Sequence, residues 1–154
     1  MGVFERILCP LDFSRHSNRA LDMACALARE HKAKLTILHA YVIPAYPLPE
    51  GYVLASPETV AEILSKTQDA MTAAKAKAQG SGVASVEALT TEGAPFPEIV
   101  RVARELNSDL IVIATHGRTG LKHVLLGSVT ERVVRKAPCA VLTVRDPEQA
   151  PAKP

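Results

Sequence analysis

The sequence predicts a single α/β domain built on a mostly parallel sheet covered by helices on both faces. Three observations predict it. The 154 residues suit one domain with a real core and are too few for two. Five short apolar runs alternate with helical patterns. The stretches between those runs are filled by helices and leave no place for hairpins, so neighbouring strands run parallel.

The elements follow in order. Val3 to Cys9 forms the first apolar run and ends at Pro10. Leu21, Ala24, Cys25 and Ala28 then recur at helical spacing between Ser14 and His31, with Ser14 or Ser17 as the cap. Lys34 to Val42 is a second strand. Pro44, Pro47, Pro49, Gly51 and Pro57 next break any regular helix or central strand. Ser56-Pro57 reads as an N-cap with proline at the first helical position. The long helix behind it carries Val60, Ile63, Leu64, Thr67, Met71, Ala74 and Ala78 and stops at Gly80-Ser81-Gly82. Val83 to Leu89 is the third strand. A short helix presents Ile99, Val102, Ala103 and Leu106 after Pro95 and Pro97. Leu110 to Ala114 is an unbroken apolar run, as suits a strand buried on both faces. A last helix carries Val129 and Val133, and Ala140 to Val144 closes the sheet. The domain spans 1–145, and the Pro- and Ala-rich segment 146–154 is expected to be a disordered tail.

Composition excludes several functions. A formal charge of +2 argues against nucleic acid or an anionic membrane as the main partner. Aromatics at 4%, without tryptophan, give no platform for stacking bases. No apolar run reaches the roughly 20 residues of a membrane span, and the first ten residues lack signal-peptide features, so a cytoplasmic location is expected. Cys9, Cys25 and Cys139 lie far apart inside apolar patterns, which reads as buried thiols acting as small hydrophobes.

In such sheets ligands bind beyond the carboxyl ends of the strands. Two loops there carry chemistry. Asp12, in Pro10-Leu11-Asp12-Phe13-Ser14, suits either hydrogen bonds from a sugar hydroxyl pair or the cap of the following helix. The segment from Ala114 to Thr130 is longer than an ordinary connection of about two to six residues and holds Gly117, Gly120 and Gly127. Gly127-Ser128 opens a helix, so the N–H groups of Ser128, Val129 and Thr130 converge as an anion site, with two hydroxyls beside them. Arg118 and Lys122 add positive charge. The competing structural reading is a capping box between Ser128 and Glu131. His116 has no nucleophile or matched carboxylate near it in sequence, so no catalytic residue is assigned. Neither the P-loop pattern nor the dinucleotide-binding G-x-G-x-x-G is present.

The pattern Gly117, nine residues, Gly127-Ser128 resembles the second half of the G-x2-G-x9-G-[ST] motif of the ATP-binding branch of the universal stress protein family. Pro10-Leu11-Asp12 and the closing Ala137-Pro138-Cys139-Ala140-Val141-Leu142 are similar to that family too, and the likeness covers roughly residues 3 to 145. Ala114 departs from the motif's first glycine. The resemblance implies a Rossmann-like five-stranded sheet in order 3-2-1-4-5 and a nucleotide-dependent stress-response or signalling module with at most slow hydrolysis. It implies that Asp12 holds the ribose, that Pro10, Leu11 and the backbone of Ala40 frame adenine, and that Ile113 and Ala114 line base and sugar. Gly117, Arg118, Gly127, Ser128, Val129 and Thr130 would cradle the phosphates of ATP, which carry Mg2+ or Mn2+. It also implies a homodimer through Ala140 to Val144. The alternative is a dimeric interaction scaffold of the same fold without nucleotide. The stretch from Pro44 to Pro57 is a candidate lid.

Overall fold

The computed structural model describes residues 2–117 and 126–147. In chain order its elements are β1 (Arg6–Pro10), α1 (Arg15–His31), β2 (Lys34–Tyr41), β3 (Ala45–Leu48), β4 (Gly51–Leu54), α2 (Pro57–Gly80), β5 (Val86–Glu92), α3 (Pro95–Glu105), β6 (Leu110–Ala114), α4 (Ser128–Lys136) and β7 (Ala140–Val144). The main sheet runs β5-β2-β1-β6-β7, all parallel. Counted without the hairpin strands, this is the expected order 3-2-1-4-5.

Strand side chains alternate between faces, and the two faces build two cores. Ile7, Cys9, Leu35, Ile37, Leu110 and Val112 pack with Leu21, Ala24 and Ala28 of α1 and Met71 of α2. Leu8, Leu38, Ile111 and Ile113 pack on the other side with Ile99, Val102 and Ala103 of α3 and Val133 of α4. Every residue of β6 is buried, because it lies inside the sheet and is covered on both faces.

The caps follow local chemistry. Ser14 caps α1, its hydroxyl accepting from Ser17 N at 3.1 Å. Ser14→Ala is therefore expected to cost about 1 kcal/mol, measured by thermal melting. Ser56 caps α2 ahead of Pro57 by accepting from Thr59 N.

Two expectations change. The third main strand starts later, at Val86, and extends to Glu92. Val83 is buried, but its amide turns back to Ala78 O behind Gly82 (φ +93°), so it closes the end of α2 instead of pairing. Thr90, Thr91 and Glu92 pair with β2 although they are polar, because β5 is an edge strand with a partner on one side only. The second correction is a hairpin where none was expected. β3 and β4 pair antiparallel from Ala45↔Leu54 to Leu48↔Gly51 across Pro49-Glu50, and Gly51 takes φ +138°. Pro47 fits because a two-stranded hairpin leaves outward-facing amide positions.

Cys9 and Cys25 are buried as expected, and Cys139 is half-buried. Burial is the main cause that pushes all three thiols above their ordinary range, which leaves little thiolate for reaction. Asp146, placed in the tail by composition, is buried at 2% exposure.

Candidate functional site

Strands β1 and β6 are neighbours whose following helices cover opposite faces of the sheet, so the sheet reverses its winding between them. A cavity of ≈ 290 Å³ opens there. That is near the lower bound of about 300 Å³ usual for small-molecule sites. Pro10, Leu11, Asp12, Ala40, Ile113, Ala114, Gly117, Gly127, Ser128, Val129 and Thr130 all line it. Of the residues expected at a site, only Arg118 is missing from this wall, and it lies outside the described residues, as do Gly120, Lys122 and His123.

One wall is the loop after β1. Leu11 N donates to Leu38 O at 2.8 Å, which continues the ladder one step past Pro10. His39 donates through Nδ1 to Leu11 O at 2.7 Å, and its ring lies 4.4 Å from that of Phe13. Phe13 takes φ +62°, an uncommon conformation for a non-glycine residue. The resulting turn lets Asp12 Oδ1 accept from Ser14 N at 3.0 Å. Ser14, not Asp12, supplies the helix cap, so capping does not account for the Asp12 carboxylate.

The opposite wall is the start of α4 and the end of β6. Gly127 N donates to Thr115 O at 2.6 Å, closing the base of the long loop. Two glycines stand close to neighbouring atoms. A Cβ at Gly117 would sit 2.6 Å from Asp12 Oδ2, and one at Gly127 would sit 3.3 Å from Thr115 O.

The competing capping box does not form. Gly127 is the N-cap of α4 and brings no side chain, while Glu131 pairs with Arg135 at 2.8 Å. The first intrahelical bond runs from Glu131 N to Gly127 O. The N–H groups of Ser128, Val129 and Thr130 therefore have no acceptor within the helix. A second correction concerns the hydroxyls. Thr130 Oγ1 donates to Ala114 O at 2.7 Å, so it ties α4 to β6 and does not serve as a donor into the cavity.

Ala114 is accommodated without strain. It lies in regular strand geometry, it is absent from the positive-φ residues, and its side chain packs into the α1 face of the core. Ala40 contributes by parity. In β2, Lys34 N bonds Glu5 O toward β1 and Leu35 N bonds Ser85 O toward β5, and the alternation continues along the strand. Its N–H and C=O are thus directed toward the edge where β1 has already ended.

The cavity also takes Ser17, Leu38, Pro95, Ile99 and His116, which sequence reasoning did not assign. Leu38 and Ile99 were legible only as core residues, because they are the part of that core the pocket exposes. His116 is buried, with Nδ1 3.0 Å from Thr115 Oγ1. No residue from 44–57 lines the cavity, so the hairpin does not cover it here. Arg132 lies 4.1 Å over the Phe96 ring, a cation–π contact that accounts for it without a ligand. Among the described residues, no cluster of three or more His, Cys, Asp or Glu is placed to hold a metal ion. None of the described helices is long and apolar enough to cross a membrane.

Fold and cavity together define a Rossmann-like α/β domain with a small-molecule pocket at its switch point. The chain belongs to the universal stress protein family, whose model matches residues 4–145. It is 36% identical to universal stress protein MJ0531 of Methanocaldococcus jannaschii, over 96% of this chain and 86% of that one. Among solved structures it is similar to the universal stress protein UspA from Lactobacillus plantarum, with 28% identity, a TM-score of 0.79, and 92% and 98% of the two chains covered. It also resembles a universal stress protein solved in complex with cAMP, with 27% identity, a TM-score of 0.71, and 92% and 97% covered.

Proposed function

We propose that this protein is an ATP-binding universal stress protein, a nucleotide-dependent stress-response module that binds its ligand without dedicated turnover. The observation that carries the reading is the meeting of three complementary surfaces in one cavity. Ala40 offers a backbone donor and acceptor for the adenine edge. Asp12 offers a carboxylate for the ribose hydroxyls. The first turn of α4 offers backbone donors and the positive end of a helix dipole for phosphate. The family relative solved with cAMP supports an adenine nucleotide as the ligand class. Mg2+ or Mn2+ would be carried by the phosphates themselves.

Backbone donors hold phosphate without by themselves aiming a water. Binding is therefore the activity to measure. ATP with Mg2+ at 100 times Kd should add about 2.7 kcal/mol of stability. For a domain of this size that raises Tm by roughly 5–11 °C. Absence of any shift at millimolar ATP would leave the scaffold reading in its place.

The same proposal includes a cytoplasmic homodimer through β7. That strand pairs with β6 on one side and ends the sheet on the other, with Leu142 37% exposed. An uncovered apolar edge invites a second strand. Sedimentation equilibrium should show a dimer that Leu142→Asp weakens, and a wild-type monomer across the concentration range would exclude it.

A further inference from the structure

Two residues past β7, Asp146 is still packed in the fold. The Asp146 side chain is 1% exposed, and its Oδ2 lies 3.1 Å from Arg15 Nε and 3.5 Å from His16 Nδ1, within ion-pair distance of both. Arg15 reaches in from the surface, whereas His16 is largely covered. A carboxylate at this depth is tolerable only when paired, so the ion pair fixes the first turn of α1 to the exit of β7. Both ends of this clasp abut the cavity. Ser17, next to His16, lines one wall, and its amide is held by the Ser14 cap. The His16 ring lies 6.3 Å from that of His116, which lines the other wall. Thr115 N, at the base of that wall, donates to Val144 O at 3.0 Å. The short segment from Val144 to Asp146 therefore grips both walls at once.

We propose that Asp146 is a positioning residue of the pocket: through Arg15 and His16 it sets the spacing between the Asp12–Ser17 wall and the Thr115–Gly117 wall. Its effect on affinity rests on the nucleotide reading above, whereas its effect on the walls does not. The two parts are read separately.

The test compares full-length wild type, Asp146→Asn and Arg15→Gln by hydrogen exchange without ligand and by calorimetric titration with Mg·ATP. Exchange at the amides of Ser17, Asn18 and Thr115 is expected to quicken on the order of tenfold, with α2 unchanged, and the Kd for ATP to rise by a similar factor. Unaltered exchange at those three amides, or an equal rise throughout α2 and α3, would overturn the proposal. So would a wild-type Kd in both variants. If the wild type takes up no ATP, the nucleotide reading fails and exchange alone decides the role of Asp146. If Asp146→Asn does not fold, Arg15→Gln, altered at the exposed partner, decides it on the same amides.

Discussion

Gly127→Asp is expected to abolish nucleotide binding while leaving the fold intact. Gly127 is the N-cap of α4 with φ −64° and ψ 156°, a conformation open to any L-residue. Aspartate is among the preferred N-caps, and its charge suits the positive end of the helix. The added Cβ meets Thr115 O at 3.3 Å, which asks the neighbouring backbone to yield by a few tenths of an ångström. These opposing effects should leave the melting temperature of the ligand-free protein within a few degrees of wild type. The ligand fares differently. The new carboxylate takes the amides of the first turn that would hold phosphate and places like charge against it. Juxtaposed like charges cost several kcal/mol, so affinity for ATP should fall by at least about 100-fold. Titration calorimetry beside a melting curve separates the two effects. A variant that binds ATP as wild type does would remove the start of α4 from the site.

Leu8→Ala is expected to give the largest loss of stability. Leu8 is 0% exposed at the centre of β1, where it meets Leu38, Ile111, Ile99 and Val133 in the core beneath the pocket. Removing its side chain forfeits transfer energy and leaves a cavity walled by four secondary-structure elements that cannot collapse freely. The cost should be about 2–5 kcal/mol. In a domain of this length that lowers Tm by roughly 4–20 °C. Denaturant unfolding measures it directly, and a loss below about 1 kcal/mol would mean that this core repacks around the gap.

Much of this architecture was legible in the sequence because single features determine it. The apolar run Leu110 to Ala114 has one stable place, the middle of a sheet covered on both faces, and it occupies that place. Ser56-Pro57 starts its helix where expected. Asp12 and the Gly117/Gly127 spacing stood out locally, while the adjacency of their strands came from the family resemblance and matches the sheet order. Other features depend on contacts between distant segments. The turn Pro49-Glu50 closes a hairpin whose residues are all exposed, so no burial pattern marks it as strand. Val83 looks like a strand residue by hydrophobicity, yet the φ of Gly82 commits it to the end of α2. The capping box at Ser128 fits by spacing, but the chain places Gly127 at the cap and gives Glu131 to Arg135. Asp146 is polar and sits in a composition typical of a tail. Its partners, Arg15 and His16, lie at the other end of the chain, where no local pattern points to them.

The central claim is that one cavity receives adenine at Ala40, ribose at Asp12 and phosphate at the start of α4. Titrating 15N-labelled protein with Mg·ATP and following backbone amide resonances tests it most directly. Saturable shifts are expected at Asp12, Ala40, Gly117 and Gly127 through Thr130, with β3 and β4 unmoved. Resonances unchanged at millimolar ATP, or shifts confined to other parts of the molecule, would contradict it.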